Sequence, residues 1–184
     1  SGLAAFVLIE LMTGNRTIIS DATTGAGTAL MTPQDAALDG SRALVIDSGL
    51  RSLLSIDLVT GNRTVVADDN MGTGLDFLVP AALALDISNN RVLVSDSGRI
   101  AVIATDLTSG NRSILTGQNV GAGAPLVTPL GLAVENTNAV LLVDQSFQTL
   151  FRVSQASGDR ARLSDNNAGL GPRLVNPAAV VEDL

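Results

Sequence analysis

The chain has 184 residues, 46% of them hydrophobic, and a net charge of −7 that sets 11 Arg against 15 Asp and 3 Glu. Cys, His, Lys, Trp and Tyr do not occur. Disulfides, thiolate chemistry, cysteine metal sites, Schiff-base amines and imidazole bases are therefore excluded. The acidic balance disfavours nucleic acid and anionic membrane as partners.

In chain order, the opening Ser1-Gly2-Leu3, without a Met or a leader, reads as the start of a processed or excised piece. Phe6–Leu11 and Arg16–Ser20 are two short β-rich runs around a turn at Gly14. Residues 21–32 are a polar, Gly-rich loop. Four runs follow: Asp35–Asp39, Arg42–Asp47, Ser52–Leu58 and Arg63–Ala67, punctuated by Gly40-Ser41, Asp47-Ser48-Gly49 and Thr60-Gly61-Asn62. The same four-run plan returns as Ala82–Asp86, Arg91–Asp96, Ile100–Asp106 and Arg112–Leu115. It returns again as Gly131–Glu135, Ala139–Asp144, Gln148–Ser154 and Arg160–Leu163. Pro177–Leu184 matches only the first run of the plan, which is designated A, with B, C and D following.

Two markers count out this plan. Gly14-Asn15-Arg16, Gly61-Asn62-Arg63, Gly110-Asn111-Arg112 and Gly158-Asp159-Arg160 recur every 47 to 49 residues, and so do Pro33, Pro80, Pro129 and Pro177. A period in the high forties, filled with strand and turn signals alone, predicts a β-propeller with one four-stranded blade per repeat. The expectation is an all-β single domain over residues 1–184, with repeats at 1–32 (partial), 33–79, 80–128, 129–176 and 177–184 (partial). It has three complete blades and one divided between the two ends, and about 15 strands in all. The divided blade closes the ring by pairing Pro177–Leu184 beside Phe6–Leu11, completes it by self-association through those edges, or belongs to a larger propeller from which this piece is excised.

The strand A segments PQDAALD, PAALALD and PLGLAVE resemble the start of an NHL-type or gluconolactonase-type blade, which commonly reads Pro-x-Gly-Ile-Ala-Val-Asp. The run RVLVSDSGRIAVIATD resembles the two strands that follow in that family. The resemblance covers nearly the whole chain, repeat by repeat. It implies a propeller fold that hosts many activities.

Strand direction sorts the loops onto two faces, with the long D–A loops and the B–C loops together. On that face Asp47, Asp96 and Asp144 form a candidate acidic ring for a cationic or hydroxyl-rich ligand. The alternative is that each caps its own turn. Joint replacement of the three by Asn is expected to weaken binding and leave stability nearly unchanged. Three D–A loops repeat Asp-x-Asn/Thr-x-Gly-x-Gly, and the remaining one has Gly117 in place of the Asp; alternate oxygen ligands make Asp68, Asn70, Asp165 and Asn167 candidates for Ca²⁺. Turn capping accounts for the same residues. On the C–D hairpins, Asp57 with Arg63, Asp106 with Arg112 and Glu10 with Arg16 are expected cross-strand pairs, and Ser154 with Arg160 is not.

No catalytic residue is nominated, because the carboxylates follow the repeat and a reaction centre should break it. The reading is a non-enzymatic binding or scaffold module. Its ligand or its protein or carbohydrate partner sits on the long-loop face, and its setting is extracellular or periplasmic. The alternative is a metal-dependent hydrolase or lactonase, which the gluconolactonase resemblance implies. That family works with one Glu, Asn and Asp around a divalent metal, and the available Glu residues are Glu10, Glu135 and Glu182.

Overall fold

The computed structural model describes residues 4–182. It contains fourteen strands and one short 3-10 turn, Ile87–Asn89. A two-stranded sheet joins β1 (Phe6–Ile9) to β2 (Arg16–Ser20). Three four-stranded antiparallel sheets follow: β3 (Pro33–Asp39), β4 (Arg42–Asp47), β5 (Ser52–Asp57) and β6 (Arg63–Ala67); β7 (Pro80–Asp86), β8 (Arg91–Asp96), β9 (Ala101–Asp106) and β10 (Arg112–Thr116); and β11 (Pro129–Asn136), β12 (Ala139–Asp144), β13 (Thr149–Ser154) and β14 (Arg160–Ser164). Each is a sequential meander, so the sheets are the blades of a β-propeller with three complete members.

The B strands begin and end as the sequence predicts. The A strands start two residues earlier, at the prolines. Pro33, Pro80 and Pro129 sit opposite Asp47, Asp96 and Asp144, at the first position of a strand, where no ladder N–H is required.

The core lies between blades, because each blade buries both faces against its neighbours. Leu44, Ile46, Leu53, Leu83, Val92, Val94 and Ile103 interdigitate between the second and third sheets. Leu93, Val102, Leu132, Val140, Leu142 and Phe151 do the same between the third and fourth. Phe77 and Leu126, at equivalent points of the D–A loops, plug these two interfaces, and Leu30 does the same between the first and second sheets, against Ala43, Val45, Leu54 and Ile56. With four Phe and no larger aromatics, aliphatic side chains carry the packing.

The two ends differ from expectation. β1 pairs with β2 alone, and its other edge has no strand partner among the described residues. Pro177–Glu182 is not a strand and does not lie beside β1. It runs along β11, close enough that a Cβ on Gly131 would stand 2.6 Å from the Ala179 Cα. This is the place of the next inner strand, reached without the strand B ladder that makes β3, β7 and β11 regular. Residues 183 and 184 lie outside the described chain.

Candidate functional site: the long-loop face

Asp47, Asp96 and Asp144 do come to equivalent positions on one face, at the ends of β4, β8 and β12. Their carboxylates point inward, however, and all three residues are fully buried. Asp47 accepts the N–H of Met31 at 2.8 Å, Thr32 at 2.9 Å and Leu50 at 3.0 Å. Asp96 accepts Leu78 at 2.7 Å, Val79 at 3.0 Å and Arg99 at 3.0 Å. Asp144 accepts Val127, Thr128 and Phe147 at 2.7 to 3.0 Å. Each carboxylate thus ties the incoming D–A loop and its own B–C turn to the end of strand B.

What these clamps hold outward is apolar. The residues whose N–H groups they take include Met31, Leu78, Val79, Val127 and Phe147, all exposed at the surface. The face is therefore a rim of aliphatic side chains and one phenyl ring, carried on loops pinned from beneath by buried charge.

Asp68 and Asp165 head two D–A loops in different blades. Asp68 Oδ1 accepts the N–H of Asn70 and Met71, both at 2.7 Å, and Asp165 Oδ1 accepts those of Asn167 and Ala168, also at 2.7 Å. Asp21 does the same for Thr23 and Thr24. The Asn167 N–H, ahead of that of Ala168, holds the Asp165 carboxyl below its ordinary value. Among the described residues, no group of three or more acidic side chains converges to hold a metal ion.

The Gly-Asn-Arg motifs belong to a device that sequence reasoning misses. Asp57 does not pair with Arg63. It caps its own turn through the Thr60 N–H at 2.7 Å and hydroxyl at 2.8 Å, and these bonds lower its pKa. Asp106 does the same with Ser109. Glu10 takes the Thr13 hydroxyl instead of Arg16. Arg63 and Arg112 cross to the preceding blade, as Arg160 does.

Arg63 is buried and donates to the carbonyls of Thr28 (2.7 Å), Asp21 and Thr24 (both 2.9 Å), and Gly25 and Gly27 (both 3.3 Å), and to the Ser20 hydroxyl. Arg160 repeats this on Ala124, Val120, Gly117 and Gly121 and on the Thr116 hydroxyl. Burial pushes the Arg160 guanidinium down from its ordinary value, and Asp159 opposes the shift. With Ala67 at the position of Ser20 and Thr116, Arg112 has no hydroxyl to bond and donates to the Leu75 and Met71 carbonyls, both at 2.8 Å. It also pairs with Asp76 at 3.2 Å and lies over the Phe77 ring at 5.6 Å.

The side chain beside each arginine completes the join. Asn62, Asn111 and Asp159 accept the N–H of Ala26, Thr73 and Ala122. The Gly-x-Gly of the three joined loops is explained by this approach. A Cβ on Gly25 would fall 1.9 Å from the Gly61 carbonyl oxygen, and one on Gly27 2.1 Å from that of Arg63, both at positive φ. The signal was in the sequence, since two motifs shared one period, but the twist that brings a hairpin onto the neighbouring blade's loop is a property of the assembled sheets.

The carboxylates that a lactonase-like reading would recruit lie elsewhere. Glu135, near the end of β11, accepts from Nε and one terminal nitrogen of Arg152, whose guanidinium lowers its pKa.

No family model and no curated protein matches the chain. Solved structures do. A chain of the nidogen/laminin complex is similar at 15% identity and a TM-score of 0.69, over 91% of this chain and 61% of that one. A structural genomics protein of unknown function from Bacteroides thetaiotaomicron is similar at 14% identity and a TM-score of 0.73, over 97% of this chain and 48% of that one. This chain thus spans about half to three-fifths of the length of these two, and the likeness supports the propeller fold.

Proposed function

We propose that the chain is a non-enzymatic propeller of NHL-type blades that binds a protein partner on its long-loop face. The observation that carries this reading is the apolar rim of Met31, Leu78, Val79, Val127 and Phe147, which the buried Asp47, Asp96 and Asp144 hold in equivalent places. Exposed apolar residues grouped on a rigid platform mark a protein-binding surface. A carbohydrate partner fits less well, because the chain has no Tyr or Trp to stack on a sugar. The similar fold in a nidogen/laminin complex is in keeping with this reading, as is an extracellular or periplasmic setting.

The test compares the parent chain with a variant carrying Leu78→Glu and Val127→Glu, first in affinity capture and then with each captured protein purified. The expected result is an unchanged melting temperature and binding at least tenfold weaker. Metal-supported turnover of a lactone or phosphoester panel, abolished by replacing one carboxylate, would overturn the proposal.

A further inference from the structure

Three copies of the inter-blade join are made within the chain, and the two halves of a fourth stand apart. The D–A loop after β14 has every feature of a loop already gripped by an arginine. Asp165 caps it, and Gly169 and Gly171 hold positive φ values of 94° and 121°. Ser164 supplies the hydroxyl that Ser20 and Thr116 supply elsewhere. Yet a Cβ on Gly171 would meet nothing within 4 Å, and one on Gly169 would meet only the Ser164 hydroxyl. Leu170 between them is fully exposed.

The other half is at the first hairpin. Gly14 has φ 73°, beside 71°, 71° and 74° at Gly61, Gly110 and Gly158, so the turn is already in its gripping conformation. A Cβ on Gly61, Gly110 or Gly158 would strike the preceding blade's backbone within 2.3 Å, whereas one on Gly14 meets nothing. Asn15 and Arg16 are exposed, and the Arg16 guanidinium has no partner among the described residues.

We infer that the loop at residues 165–171 of one copy receives Gly14-Asn15-Arg16 of a second copy, in a head-to-tail contact. The occupant is argued from correspondence. In the joins already made, a loop of this sequence accepts a hairpin of this sequence. The matching acceptors for Arg16 are the carbonyls of Asp165, Ala168, Gly169 and Gly171 and the Ser164 hydroxyl.

The apolar surface beside the hairpin agrees. Val7, Leu8 and Ile9 of β1 and Leu38 of β3 are exposed along a groove of about 410 Å³. The partner's Pro177–Glu182 would lie against β3 there, as Ala178 and Ala179 lie against Gly131 within one copy. Such a contact is heterologous, so it propagates from copy to copy, ending as a ring where the rotation closes and as a filament where it does not.

The chain has no Cys, which makes the test direct. Asn15 corresponds to Asn62 and Leu170 to Ala26, which are bonded in the first join. Copies carrying Asn15→Cys are mixed with copies carrying Leu170→Cys under oxidised glutathione. The expected product is a disulfide-linked species of twice 18.8 kDa containing one of each. Arg16→Ala should weaken self-association at least tenfold, by sedimentation equilibrium, at an unchanged melting temperature.

A parent chain that stays at 18.8 kDa across the concentration range, with no cross-link in the mixture, would overturn the inference. So would a double variant that closes its disulfide within one chain, which would assign the hairpin to its own loop. Self-association unaffected by Arg16→Ala would overturn it as well. The proposed partner site is tested separately, because Leu78→Glu and Val127→Glu lie in the loops before β7 and β11 and leave residues 14–16 and 165–171 untouched.

Discussion

Asp96 stands at the end of β8, beneath the loop that leads into β7. By its place at a strand end it is a candidate ligand, and its replacement by Asn is expected to cost binding alone. Buried beneath the loop with three N–H groups on its oxygens, it is a clamp. An Asn side chain offers one acceptor oxygen and turns an NH₂ group towards donors. Asp96→Asn should therefore destabilise the fold by about 2 kcal/mol, as a loss of charge-assisted bonds at a buried site. Urea denaturation measures it, and a midpoint unchanged from the parent would contradict the clamp.

The element that organises the molecule is the hairpin joined to its neighbour's loop. The flat fork of arginine is what allows one side chain to take five or six acceptors. Arg63→Lys keeps the charge and loses that geometry, so about 2–3 kcal/mol of stability should go with it. In the single copy, at concentrations below self-association, the exposed Arg16→Lys should change stability by less than about 0.5 kcal/mol. Denaturant midpoints of the two variants separate a gripped arginine from an ungripped one.

Strand existence was legible at this scale, because Gly, Asn and Pro punctuate runs of Val, Leu and Ile whose length suits strands. The pairing of Arg63 was not. Asp57 and Arg63 are close enough in a hairpin to suggest an ion pair, but Thr60 offers Asp57 a nearer N–H and hydroxyl. The neighbouring blade's carbonyls, which win the arginine, are 35 to 42 residues away in the chain and come within reach through sheet packing. The site on the long-loop face was legible as to its face. The buried orientation of Asp47, Asp96 and Asp144 was not, since it depends on the loop that folds over them.

At the scale of the molecule, six carboxylates among the described residues are held below their ordinary pKa. Asp21, Asp57, Asp106 and Asp165 are held first by backbone N–H groups of their own turns. Asp159 is held by the Ala122 N–H of the preceding blade, and Glu135 by Arg152. A pKa lowered by folding contributes stability above the unfolded value, near 4, and the contribution is lost as pH falls through the folded value. The melting temperature should therefore be level from about pH 7 to about pH 5 and fall below about pH 4. With no His in the chain, a step near pH 6 in a thermal-melt series would contradict this account.

The joins have a further consequence for how the molecule comes apart. Each ties a blade to the next one and reaches no further, so cooperativity passes along the chain as it does in a row of coupled spins. Within a single, dissociated copy an interior blade is held from both sides and a terminal sheet from one. Opening then begins at the β1–β2 sheet and travels inward one repeat at a time, and slow amide exchange concentrates in β8 and β9, midway along the row.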